Sequence, residues 1–117
     1  MKARVPSRDM ESCAQYVVSN IEFDPDAIYL HFGDAVAPGG YAWVFPKGVG
    51  VANVGLGILA KHGGNRPARE WLHGYLDTYF PTGVRTAYTV GGVIVHTTIR
   101  QTVADGLIVC GDAAHMV

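Results

Sequence analysis

The fold is decided by residues 41–59, YAWVFPKGVGVANVGLGIL, in which two strand-like runs flank a glycine-rich turn at 48–50. Side chains alternate between the two faces of a strand, so Tyr41, Trp43 and Phe45 share one face and Lys47 ends their row. If residues 48–50 form a three-residue hairpin loop, the cross-strand pairs are Lys47 with Val51, Phe45 with Asn53, Trp43 with Gly55, and Tyr41 with Gly57. A two-residue turn would instead put both glycines on the opposite face.

The pairing of large rings with glycines has two interpretations. Glycine inside a strand weakens it and often marks a place where a ligand or a ring comes close to the backbone. The first interpretation is an apolar slot for a long hydrocarbon, with Lys47 meeting an anionic head group at its mouth. The second is ordinary core packing, in which the rings of Trp43 and Tyr41 fill the gaps over Gly55 and Gly57.

The remaining elements are predicted outward from this hairpin. Apolar side chains recur at helical spacing between Pro67, which suits a first helical turn, and the stop at Pro81 and Gly83. The predicted strands are residues 13–22, 28–32, 84–90, 93–99 and a short run at 106–110 that is apolar enough to be buried on both faces, with Gly91-Gly92 as a tight turn. The predicted fold class is α+β, with a mostly antiparallel, meandering sheet covered by one main helix.

Composition excludes several classes of protein. The chain has 117 residues, 49% of them hydrophobic and 16% charged, which suits one globular body. Nine basic and ten acidic residues give a net charge of −1, so there is no nucleic-acid footprint and no polybasic membrane patch. The five histidines have no compact metal-ligand spacing. Cys13 and Cys110 lie in apolar segments, which predicts free thiols in the core and a reducing cytoplasm.

The aromatic strand resembles a known family. Tyr-x-Trp-x-Phe-Pro, followed after eight residues by Gly-x-Gly, is similar to a signature of the geranylgeranyl reductases, and the preceding segment 37–40 resembles their archaeal members. In that family the motif helps to hold the isoprenoid substrate beside the flavin. The resemblance therefore implies that substrate is bound by Tyr41, Trp43, Phe45, Pro46, Lys47, Gly55 and Gly57.

A second resemblance lies near the end of the chain. Residues 106–115 are similar to the Gly-Asp motif of the p-hydroxybenzoate hydroxylase superfamily of flavoproteins, to which those reductases belong. The resemblance implies that Gly111 lets the backbone approach FAD and that Asp112 accepts a hydrogen bond from a ribityl hydroxyl. It divides the chain into a substrate domain, 1–105, and the start of a flavin-binding segment, 106–117.

Several expectations follow from these resemblances. The parent protein is expected to be a cytoplasmic FAD-dependent oxidoreductase, peripheral to the membrane or free of it, that saturates double bonds of geranylgeranyl chains in archaeal lipid synthesis. NAD(P)H and ferredoxin both stay open as its electron donor. Alternatives are a chlorophyll-pathway prenyl substrate, an aromatic hydroxylase and a lipid-binding module without catalysis. The chain itself has the character of an internal fragment. It is expected to bind no FAD alone, with residues 113–117 frayed or irregularly packed because so short a helix does not nucleate in water.

Overall fold

The computed structural model describes residues 6–95 and 97–116 and is built on one antiparallel sheet. Its five strands lie in the order β2-β3-β4-β1-β5. The strands are β1, Met10–Ser19; β2, Tyr29–Phe32; β3, Tyr41–Gly48; β4, Val51–Leu59; and β5, Val84–Ile94. The helices are α1, Ala60–Gly63, and α2, Ala68–Tyr79, with 3-10 turns at Ser7–Asp9 and Gly111–Ala114. The predicted antiparallel sheet with one main helix is confirmed.

The β3–β4 hairpin has the predicted register along the aromatic row. Tyr41 pairs with Gly57, Trp43 with Gly55, and Phe45 with Asn53. The pair of Lys47 with Val51 is wrong, because Gly48 takes that place and the register shifts between Pro46 and Gly48. The loop is therefore only Val49-Gly50, and Lys47 is the extra residue of a bulge, a conformation that Gly48 permits with φ +153.

One face of the sheet carries the core beneath α2. In β3 the side chains that alternate with the rings, Ala42 and Val44, are 0% and 1% exposed. Helix α2 buries Leu72 and Leu76 against β1 and β4, which are the strands that it contacts most. Apolar residues at helical spacing form one face of a helix, and that face packs on the sheet. The opposite face of the sheet, which carries Tyr41, Trp43 and Phe45, is turned away from the helix.

Strand β1 corrects two features of the predicted sheet. The sequence predicts this strand at 13–22, whereas it spans Met10–Ser19 and ends where Asn20 adopts φ 60. The strand also inserts between β4 and β5, so the sheet is not a simple meander. A strand as long as β1 can hydrogen-bond along both of its edges, and here it pairs with nearly the full length of each neighbour.

The turn predicted at Gly91-Gly92 is wrong. Strand β5 continues through both glycines, which pair with Cys13 and Ser12 of β1. Residues 97–99 do not form the predicted second strand. Neither Gly91 nor Gly92 adopts a positive φ, so the extended backbone that pairing requires has overridden the local turn signal.

The last part of the chain also differs from its prediction. A two-stranded ribbon joins β6, Val103–Ala104, to β7, Leu107–Ile108, through Asp105-Gly106. The expectation of a strand buried on both faces is wrong, since Leu107 is 52% and Ile108 75% exposed and β6 is their one partner strand within residues 6–95 and 97–116. Cys110 is likewise exposed rather than in the core. Gly111–Ala114 form a 3-10 turn that ends at His115, and Val117 lies outside the described residues.

Candidate functional site

The open face of the sheet carries a groove walled by the three rings. We call it the aromatic groove; its volume is about 410 Å³, and its lining residues are Glu11, Cys13, Tyr41, Trp43, Phe45, Val93 and Val95. The ring centroids of Tyr41 and Trp43 are 5.8 Å apart, and those of Trp43 and Phe45 are 6.0 Å apart and nearly parallel. The rings therefore form one continuous wall, supplied by alternate residues of β3.

One row of paired residues across the sheet contains two glycines, Gly57 and Gly91. Tyr41 pairs with Gly57, Gly57 with Cys13, and Cys13 with Gly91, which gives one row across four adjacent strands. A Cβ atom built at Gly91 would meet no heavy atom within 4 Å. The side chains in this row thus range from the large ring of Tyr41 on β3 to the bare backbone of Gly91 on β5.

The space over Gly55 is filled by the ring of Trp43. A Cβ atom at Gly55 would lie 2.5 Å from Cζ2 and 2.6 Å from Cε2 of that indole. The indole Nε1 of Trp43 donates a hydrogen bond to Oε1 of Gln15 on β1, at 2.9 Å. At Gly55 the second interpretation, packing of a ring over a glycine, is therefore the correct one. The groove lies beside the rings and not between the rings and this glycine.

The space over Gly57 is filled by Glu11. A Cβ atom at Gly57 would lie 2.6 Å from Oε1 of Glu11, and one at Gly40 would contact the same oxygen and the carbonyl oxygen of Gly57. Two glycines from different parts of the chain thus make room for one carboxyl group. Glu11 was not among the predicted site residues, because the predicted first strand began after it.

The electrostatics of the groove favour neutral side chains. Burial raises the pKa of the Glu11 carboxyl above its usual range, because removing the charged form from water is unfavourable. Burial, and secondly the charge of Glu11, raise the pKa of the Cys13 thiol to about 11. Cys13 is therefore a protonated thiol at neutral pH, which suits an apolar lining and not a nucleophile.

The raised pKa of Glu11 predicts how stability depends on pH. The folded state binds this proton more tightly than the unfolded state, so the stabilisation is complete at low pH and is lost as pH rises through the folded-state pKa. We expect the free energy of unfolding, measured in urea, to fall between pH 4 and pH 7 by more in the wild type than in Glu11→Gln. Equal pH dependence in the two proteins would contradict the burial of this carboxyl.

The other residues of the aromatic signature lie at the end of the β3–β4 hairpin. Pro46 is partly buried and pairs with Ala52, on the same face of the sheet as the core. Lys47 is exposed, and the bulge takes it out of the alternation that links Tyr41, Trp43 and Phe45. The three rings of the signature line the groove and its two glycines lie beneath Trp43 and Glu11, while Pro46 and Lys47 do not line it.

The Gly-Asp pair lies apart in the 3-10 turn near the end of the chain. Gly111 has φ +63 with nothing within 4 Å of a Cβ built on it, and Asp112 is exposed. His115 is 8% exposed and its Nδ1 lies 3.2 Å from the carbonyl oxygen of Thr97. Across residues 6–95 and 97–116, no three His, Cys, Asp or Glu side chains are grouped to hold a metal ion.

The part of the chain that forms the groove also resembles known proteins. Residues 9–95 match the model of the geranylgeranyl reductase catalytic domain. The chain is 46% identical over 114 residues to the digeranylgeranylglycerophospholipid reductase of Methanosphaerula palustris, covering 96% of this chain and 28% of that protein. It is 44% identical over 115 residues to the reductase of the same name from Methanoculleus marisnigri, covering 97% and 29%.

A solved structure shares the fold as well. The crystal structure of a geranylgeranyl bacteriochlorophyll reductase-like protein from Thermoplasma acidophilum superposes with a TM-score of 0.84 at 34% identity, covering 97% of this chain and 29% of that one. The chain thus spans less than a third of the length of these relatives. The family predicted from Tyr41, Trp43, Phe45, Pro46 and the two glycines is confirmed: the chain belongs to the geranylgeranyl reductase family.

Proposed function

We propose that this chain forms the lipid-binding part of an FAD-dependent reductase that saturates carbon–carbon double bonds of geranylgeranyl chains in membrane lipids. The observation that carries the proposal is the aromatic groove, an apolar channel walled by Tyr41, Trp43 and Phe45 within the part of the chain that matches the reductase catalytic domain. The names of the relatives specify digeranylgeranylglycerophospholipids, which supports a lipid with prenyl chains as substrate.

The groove suits a hydrocarbon because its walls offer carbon surface. Contact of the hydrocarbon with the ring faces and with the methyl groups of Val93 and Val95 contributes about 25 cal/mol of binding free energy for each Å² of apolar surface removed from water. The position over Gly91 is open, since a Cβ atom built there would meet no heavy atom within 4 Å, and this leaves room for the methyl branches of a prenyl chain. Lys47, exposed at the hairpin end, is assigned to the anionic or glycerol end of the lipid, and Pro46 to the support of Phe45.

We assign residues 1–105 to the substrate domain of a p-hydroxybenzoate hydroxylase-like flavoprotein and residues 106–117 to the start of its flavin-binding segment. Gly111 and Asp112 fit such a cofactor: the backbone at Gly111 is open, and the exposed carboxylate of Asp112 has the acceptor chemistry for a ribityl hydroxyl. FAD would supply the hydride chemistry, with NAD(P)H or ferredoxin as the source of its electrons. The residues of this chain bind and orient the prenyl chain and exclude water. Because one glycine and one aspartate make few contacts, we expect the 117-residue chain alone not to retain FAD.

None of the helices in the described part of the chain is long and apolar enough to cross a membrane. We place the protein in the cytoplasm, in peripheral contact with the membrane that contains its substrate.

Binding of geranylgeraniol tests the assignment of the groove. We expect the 117-residue chain to bind this alcohol in detergent solution, and Trp43→Ala to weaken binding about tenfold, which is 1.4 kcal/mol of lost contact. Isothermal titration calorimetry gives both affinities. Trp71→Ala is the matched control, because Trp71 lies on α2 beneath Arg66 and does not line the groove. Equal losses in the two variants would contradict the assignment.

Product analysis of the full-length protein separates the alternative activities. With a chemical reductant and a geranylgeranyl lipid, a reductase adds two hydrogens per double bond, whereas a hydroxylase inserts oxygen. A binding module retains the lipid unchanged. Mass spectrometry of the lipid distinguishes these three results.

A further inference from the structure

Gln15 makes the polar contact of the Trp43 ring. Trp43 lies on β3, Gly55 faces it on β4, and Gln15 faces Gly55 on β1. The indole thus reaches across an entire strand, and its Nε1 donates to Oε1 of Gln15 at 2.9 Å. The ring can lie this close to the backbone of β4 only because residue 55 is a glycine, since a Cβ atom there would overlap the indole.

This hydrogen bond determines which part of the indole faces the groove. An indole N–H taken out of water needs an acceptor, and leaving it unpaired costs about 1–3 kcal/mol. Because Gln15 accepts that bond from within the sheet, the rest of the ring can face the groove as carbon. The nearly parallel stack of Trp43 on Phe45, at an interplanar angle of 18°, then continues the wall in one plane.

We propose that Gln15 is a positioning residue for the prenyl-binding groove: it holds Trp43 over Gly55, so that an apolar ring face forms the wall and the indole N–H is not presented to the ligand. The inference rests on the proposed function, because it assumes that the groove binds a hydrocarbon chain. Without the acceptor, the indole would turn toward water to satisfy its N–H, and the ring would enter the groove.

The test uses the two indole N–H signals that Trp43 and Trp71 give in a ¹H–¹⁵N correlation spectrum of the 117-residue chain. Trp71→Phe identifies the Trp43 signal. Gln15→Leu removes the acceptor with a side chain of similar size. If the leucine variant is unstable, Gln15→Met is used in its place. Gln15→Glu keeps an acceptor oxygen in the same place and serves as the conservative rescue. Unfolding in urea measures the stability of each variant.

We expect Gln15→Leu to shift the Trp43 signal upfield, to speed its exchange with solvent at least about tenfold, and to weaken geranylgeraniol binding about tenfold. Gln15→Glu should restore both properties. The Trp71 signal should stay unchanged in every Gln15 variant, because Trp71 lies on α2 and its Nε1 has no partner among the described residues.

Two results would overturn the inference. One is a Trp43 signal that does not respond to Gln15→Leu, which would mean that Gln15 does not hold the ring. The other is a signal that responds while lipid affinity stays the same, which would mean that the ring orientation does not matter for binding. If the wild-type chain binds no geranylgeraniol, the proposed function fails, and the effect on affinity fails with it. The Trp43 signal still decides independently whether Gln15 orients the ring.

Discussion

Replacing Gly55 with alanine is expected to destabilise the chain by about 3 kcal/mol, at the upper end of what overpacking usually costs. The new Cβ atom would lie 2.5 Å from Cζ2 of Trp43 and 2.7 Å from the carbonyl oxygen of Ala14. Neither obstacle can yield easily. The indole is held by Gln15, and the carbonyl belongs to β1, which pairs with β4 along most of its length. Urea unfolding followed by circular dichroism measures the loss.

Gly91→Ala is the matched control for this substitution. Gly91 lies on the same face of the sheet, also in a strand that pairs with β1, but its Cβ position is open. Alanine there should leave the free energy of unfolding unchanged or raise it by up to about 1 kcal/mol, since glycine loses more backbone entropy on folding. If Gly55→Ala and Gly91→Ala have the same stability, the ring of Trp43 does not lie against Gly55.

The hairpin and the main helix were predictable from the sequence because their signals are local. The period of two in residues 41–47 and the glycine-rich turn specify β3 and β4, and the helical spacing between Pro67 and Pro81 specifies α2. A bulge at Lys47 kept the predicted ring–glycine pairs even though the loop is one residue shorter. Local alternation cannot reveal such a bulge, because it depends on the twist of the finished hairpin.

The position of β1 and the course of β5 were not predictable, since both depend on pairing between distant parts of the chain. Gly91-Gly92 is a turn signal by composition, yet its backbone is extended because β1 offers partners along its whole edge. Asp-Gly is a common hairpin turn, and at 105–106 it joins β6 to β7, but the prediction rested on the apolar run at 106–110 and expected a buried strand. Burial depends on what covers a segment, which composition does not determine.

The same distinction applies to the candidate site. The three rings were predicted because they lie on one strand, whereas Glu11 and Gln15 join them from β1, which is not adjacent to β3. Their alternation at residues 11, 13 and 15 was visible, but it carries meaning only once β1 is known to lie beside β4. Cys13 was predicted to be a core residue and instead lies partly buried on the groove floor.

Leu72→Ala is the second substitution with a large expected effect. Leu72 is 0% exposed and lies between α2 and the sheet, in the cluster that includes Leu76 and Val54. Removing a buried leucine side chain and leaving a cavity costs about 2–5 kcal/mol. Since small domains have only about 5–15 kcal/mol of total stability, the variant should unfold at a much lower urea concentration and melt well below the wild type.

Leu107→Ala is the same chemical change at a position where the structure predicts almost no cost. Leu107 lies in the two-stranded ribbon and is 52% exposed, so its truncation should alter the free energy of unfolding by no more than about 0.5 kcal/mol. The pair of variants also decides between the sequence pattern and the structure at residues 106–110. If Leu107→Ala is as costly as Leu72→Ala, this run is a buried strand after all, because only removal from water and close packing give a leucine that much weight.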